Sequence, residues 1–141
     1  MGGPGMAPQT PQRPAIFVVK ATIAPEQEAA FNEWYDTVRT KEIARVPGFV
    51  RMTRYAALPL ESAHAGREPW QYMVCYEFDS EASLQAFVRS DTLRAMTKDY
   101  NSRFRGERAR FAYRQIYPQS PFRNSPSAAV NSAGRSSVRW W

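Results

Sequence analysis

At 141 residues with 43% hydrophobic content, the chain has the length of one globular domain with a sizeable core. The formal charge of +6 suggests nucleic acid, but Arg13, Arg123, Arg135 and Arg139 lie in terminal stretches free of acids. Between them stand 15 basic and 13 acidic residues with no dense Lys/Arg stripe, which sets a phosphate backbone aside. One cysteine, Cys75, and one histidine, His64, exclude a disulfide framework and a zinc site.

Residues 1–14 are rich in Gly, Pro and Gln, and residues 118–141 in Ser, Pro, Asn and Ala, so both are expected to be disordered tails flanking a domain at 15–117. The terminal Trp140 and Trp141 stand out in the second tail, because tryptophan ordinarily seeks a surface. The first residues lack the charged start and apolar run of a secretory signal. No run approaches the ~20 apolar residues of a membrane span. A cytoplasmic protein with no membrane partner is expected.

Within the domain, the β-branched run Ile16 to Ile23 predicts a strand. Pro25 opens a helix, with Glu26 and Glu28 favoured at its positive end, and Ala30, Phe31, Trp34, Tyr35, Val38, Ile43 and Val46 recur at helical spacing up to Pro47-Gly48. A second strand, 49–57, alternates Phe49, Arg51, Thr53 and Tyr55 against Val50, Met52, Arg54 and Ala56. After a loop with two prolines, Trp70 to Phe78 predicts a third strand with Trp70, Tyr72, Val74, Tyr76 and Phe78 on one face. Asp79 and Ser80 are credible caps for a helix carrying Leu84, Phe87 and Val88, and Asp91 for a continuation carrying Leu93, Met96 and Tyr100. Arg110 to Tyr117 predicts the fourth strand, ended by Pro118.

The order β, α, β, β, α, β is that of an α+β, ferredoxin-like fold: a four-stranded antiparallel sheet with both helices on one face. The other face, with residues such as Met73, Cys75 or Val74, is expected to pack on a second copy as a homodimer.

The segments Pro-Glu-x-Glu-x-x-Phe-Asn-x-Trp-Tyr-Asp, Val-Pro-Gly-Phe and Arg-x-x-Arg-Tyr between Pro25 and Tyr55 resemble the EthD-like family of the dimeric α/β-barrel superfamily. The resemblance implies a pocket between sheet and helices for a small molecule. It also implies cofactor-independent chemistry, as cyclase, isomerase, lyase, dehydratase or oxygenase, on polyketide-like or aromatic compounds. Many relatives carry a histidine shortly after Trp-Tyr-Asp; here Arg39 stands at that place. A guanidinium stays charged and donates hydrogen bonds without exchanging protons near neutral pH.

Helical spacing puts Tyr35, Arg39 and Glu42 on one line. They form either the polar end of an aromatic cavity or an ion pair on a solvated helix face. Phe31 and Trp34 favour core over substrate platform. Tyr55, Tyr72, Tyr76 and Tyr113 project from strands, and one or two are expected to donate to a ligand oxyanion. His64 falls in the loop between strands two and three, where exposure without a role is the favoured reading, yet it is the one obvious general base. Arg51 and Arg54 point to opposite strand faces, and Arg54 matches the Arg-Tyr pair of the resembled family. These residues predict a cofactor-independent, metal-free cyclase, isomerase or lyase of specialised metabolism. The alternatives are a cofactorless monooxygenase and a non-catalytic small-molecule-binding protein.

Overall fold

The computed structural model describes residues 13–118, so nearly all of both expected tails, Trp140 and Trp141 included, lies outside the described residues. Four strands, β1 (Ala15–Ala21), β2 (Phe49–Ala56), β3 (Tyr72–Phe78) and β4 (Arg108–Arg114), form one antiparallel sheet in the order β2-β3-β1-β4. This is the ferredoxin-like α+β arrangement that the order of elements predicts.

One sheet face is covered. Phe17, Val19 and Ala21 of β1 and Val74, Tyr76 and Phe78 of β3 join a single buried cluster with helix residues Phe31, Trp34, Tyr35, Leu84, Phe87, Leu93, Met96 and Tyr100. The aromatic rings interlock edge to face, as between Phe31 and Tyr100 and between Trp34 and Phe104, so the space between sheet and helices is filled mainly by side chains. Truncating Phe31 would cost about 3–5 kcal/mol. Val74 belongs to this covered face and not, as the sequence suggests, to the open one: it is buried opposite Val19, whereas Met73 and Cys75 point outward.

The first helix is interrupted. A 3-10 turn at Pro25–Gln27 leads into α1 (Glu28–Trp34), a π-helical turn spans Tyr35–Arg39, and α2 (Thr40–Ile43) follows. The Thr40 N–H donates to the Tyr35 carbonyl five residues back. The hydroxyls of Thr37 and Thr40 donate to the carbonyls of Glu33 and Asp36, competing with the regular ladder over this stretch. Gly48, at φ +82°, ends the segment where a Cβ would lie 2.3 Å from Ser83 Oγ, so only glycine lets the chain turn this close to the next helix.

That next helix is α3 (Glu81–Val88), capped by Ser80, whose Oγ accepts from Ser83 N at 3.1 Å. The last is α4 (Asp91–Arg103), capped by Ser90 through Leu93 N at 3.1 Å. The cap of α4 is therefore Ser90, and Asp91 occupies the first helical position, because the serine hydroxyl reaches back to the free N–H groups from an extended backbone. Gln27 joins the two helical layers end to end: its amide donates to the Arg103 carbonyl at 2.8 Å and its carbonyl accepts from Arg105 N at 2.7 Å.

Two strand expectations are corrected. A bulge between Phe49 and Arg51 brings Phe49 onto the face of Met52 and Arg54, opposite Phe78. β4 starts two residues earlier than predicted and ends at Arg114, so Arg108 is a strand residue facing the helices beside Ala21. Arg51 and Arg54 do fall on opposite faces: Arg51 pairs with Glu77 outside, and Arg54 turns toward α1.

Candidate functional site

The π turn carries two polar side chains into the interior. Tyr35 is 4% and Arg39 3% exposed, so the arginine does not lie on a solvated helix face. Its guanidinium stacks 4.5 Å from the centre of the Trp34 ring, and Nη2 donates to the Met96 carbonyl at 3.2 Å. Nε lies 3.6 Å from Glu42 Oε1, beyond a hydrogen bond, and both atoms are buried without a hydrogen-bond partner among the described residues.

Tyr76 from β3, Tyr100 from α4 and Arg108 from β4 complete the cluster. Arg108 places its guanidinium 3.9 Å from the Tyr100 ring centre and donates to Asn101 Oδ1 at 2.9 Å. The Tyr100 hydroxyl is buried with no hydrogen-bond partner among the described residues. Burial pushes the Tyr76 phenol well above its ordinary range and that of Tyr100 up to about 12, so both are neutral donors at physiological pH. Burial also lowers the Arg108 pKa, and the neighbouring Arg110 and Arg39 charges add to that effect.

Tyr35, Arg39, Tyr76 and Arg108 line a narrow cleft of about 20 Å³, closed by Phe17, Val19, Phe87, Leu93, Met96, Thr97 and Arg110. That is room for about one water molecule. No carboxylate or imidazole lines it among the described residues. Two larger hollows share its walls. A groove of about 700 Å³ between α2, α3 and α4 is floored by Phe87 and Met96 and rimmed by Glu42, Arg45 and Asp99. A crevice of about 450 Å³ between α4 and β4 shares Leu93, Thr97 and Arg110.

The remaining sequence candidates are placed elsewhere. Phe31 and Trp34 are core residues, 2% and 6% exposed. Arg54 sits in a second polar network: it donates to Asn32 Oδ1 at 2.6 Å and to Asp36 Oδ1 at 2.9 Å, while the Tyr72 hydroxyl donates to Glu28 and accepts from Asn32. That hydrogen bond to Glu28 holds the Tyr72 phenol protonated beyond its usual range. Tyr55 and Tyr113 are half exposed on the open sheet face, away from the helices. His64 is exposed, with its backbone N donating to Ser62 Oγ, and it lines none of these hollows. Sequence reasoning missed Arg108 and Arg110 and did not single out Tyr100 as polar. The alternation of Arg108, Arg110 and Arg114 against Ala109, Phe111 and Tyr113 was the available signal.

The family described as antibiotic biosynthesis monooxygenase matches residues 14–99. No curated protein sequence matches the chain. Among solved structures, the fold resembles HapK from Hahella chejuensis (TM-score 0.55, 18% identity, 73% of this chain and 93% of that one). It also resembles a conserved protein from Methanosarcina mazei Go1 (0.53, 19%, 74% and 94%). A third likeness is to a dimeric protein of ferredoxin-like fold from Bacteroides fragilis NCTC 9343 (0.50, 13%, 72% and 96%).

Proposed function

Since the chain belongs to the antibiotic biosynthesis monooxygenase family, we propose that it is a cofactor-independent monooxygenase of specialised metabolism, acting on a small polycyclic phenol or other enolisable aromatic carbonyl compound. The observation that carries this reading is the cleft lined by buried Tyr35, Arg39 and Tyr76 and half-buried Arg108, with Tyr100 stacked on Arg108, where hydrogen-bond donors and positive charge converge without a lining carboxylate among the described residues. Such a set favours the ionised form of a bound phenol or enol, because fixed donors in a low-dielectric site act most strongly on developing negative charge. The carbanion so formed is the reductant for dioxygen: a CH₂ carbon becomes a carbonyl, one oxygen atom stays on it and the other leaves as water. The protein's part is to bind, orient and stabilise the anion. The cleft, with room for about one water molecule, has to widen to admit a ring.

The same fold suggests a homodimer joined through the open sheet face. The decisive experiment supplies a hydroxylated anthrone under ¹⁸O₂ and measures label in the product. One labelled carbonyl oxygen per turnover supports the reading, and unlabelled product overturns it. A cyclase, isomerase or dehydratase is the second reading, favoured by Glu42. Its buried Oε1 has no hydrogen-bond partner beside Arg39, and the residue borders the large groove, where it could take and return a proton without a change of oxidation state.

A further inference from the structure

Two hollows adjoin the buried cluster, and their charges differ in sign. The groove between α2, α3 and α4 is rimmed by Glu42 and Asp99 against Arg45. The crevice between α4 and β4 is lined by Val88, Leu93, Arg94, Thr97, Lys98, Asn101 and Arg110, with no acid among them. Arg94 has Asp91 beside it. Lys98 and Arg110 have no carboxylate in salt-bridge reach among the described residues, and neither does Arg108 just inside. Arg108 and Arg110 settle instead for the neutral oxygens of Asn101 and Thr97.

The cations also lie in sequence along one path. Lys98 and Arg110 stand at the crevice, Arg110 and Thr97 form its common wall with the cleft, and Arg108 and Arg39 line the cleft itself. The hydrogen bond from Arg110 to Thr97 joins the two sides of this path. Guanidiniums held by neutral partners keep their capacity for a charge-assisted bond, and a lined-up series of them draws an anion inward.

We propose that the crevice between α4 and β4 is the way by which substrate reaches the buried cluster, and that it selects aromatic ligands bearing an anionic group, a carboxylate or an acidic phenolate. This inference rests on the buried cluster being the reactive site. Arg110 breaks its bond to Thr97 and, with Lys98, holds the anion at the crevice while the ring enters the cleft.

The test is equilibrium binding of the fluorescent 3-hydroxy-2-naphthoate and of its methyl ester to the full chain, which needs no turnover. The acid is expected to bind at least ~10-fold tighter than the ester, a preference that about one charge-assisted contact supplies. In Lys98→Gln/Arg110→Gln the preference falls to about threefold or less, with the ester's affinity unchanged. Circular dichroism confirms that this surface variant is folded. Ala95→Trp, which fills the other groove, leaves acid binding intact. Equal affinities for acid and ester in the wild type, an undiminished preference in the double variant, or loss of acid binding in Ala95→Trp alone would each overturn the proposal. Anion-selective binding without ¹⁸O incorporation supports this proposal and removes only the oxygenase reading.

Discussion

Arg39 Nη2 donates to the main-chain carbonyl of Met96 across 3.2 Å, tying the π turn of the first helix to the middle of α4. Met96 thus anchors the arginine with its backbone, while its side chain stands in the wall between the cleft and the groove. A guanidinium buried this far, with one carbonyl and one distant carboxylate, contributes little net stability, because desolvation offsets its contacts.

The unpartnered hydroxyl of Tyr100 makes a separate prediction. Tyr100→Phe removes a buried polar atom that has no hydrogen bond and leaves the ring stacked under Arg108. Thermal unfolding at pH 7 should show stability unchanged or raised by up to about 1–2 kcal/mol. The same variant should lose affinity for a hydroxylated ligand. A clear loss of stability would place a hidden partner at this hydroxyl.

Alkaline stability follows from the same phenols. The folded Tyr100 ionises near pH 12, whereas an unfolded tyrosine ionises near ~10, so between these values only the unfolded chain releases the proton. The contribution of the neutral phenol is complete below pH 10 and is lost as pH rises from there to about 12, with Tyr76 acting in the same direction. Urea midpoints measured across this window should fall, and the fall should be shallower in Tyr100→Phe. Equal slopes in both proteins would contradict the burial of this phenol.

Arg54 links the sheet to the first helix through two side-chain contacts, to Asn32 and Asp36. Arg54→Ala should cost about 1–3 kcal/mol in urea denaturation, the range of charge-assisted bonds of which one end is exposed. A change within error would show that solvent replaces both contacts.

The open sheet face sets the fourth expectation. Tyr55, Phe111 and Tyr113 are 50%, 40% and 53% exposed there, around a Val18 that is already buried, with Ile16, Met73 and Cys75 in adjoining register positions. Apolar surface of this kind is ordinarily covered. Light scattering should give twice the 16.1 kDa chain mass, and Tyr113→Glu should shift the protein toward monomer. A wild-type monomer at micromolar concentration would remove the dimer.

The order of elements and most of the covered face of β3 were readable because alternation and helical spacing are carried by the residue types themselves, as in Tyr72, Tyr76 and Phe78. Two of the departures are one-residue events. The π turn at Tyr35–Arg39 and the bulge after Phe49 each add a residue without changing composition, and each redirects the side chains that follow. Arg39 could therefore be singled out from sequence, but its burial could not. Arg108 escaped notice because it lay before the predicted fourth strand, and because the phenol it stacks on, Tyr100, comes from another element.

In the proposed function, Arg39 acts on the bound ligand's negative charge and adds little to the stability of the fold. The direct measurement compares oxygen uptake with a hydroxylated anthrone for wild type, Arg39→Lys and Arg39→Met, alongside their melting temperatures. Arg39→Met should melt within a few degrees of wild type or above it, yet turn over ~30- to 1,000-fold more slowly, the loss that accompanies removal of one oxyanion donor. Arg39→Lys should fall between them, keeping the charge but losing the planar fork. A folded Arg39→Met with wild-type turnover would contradict the account.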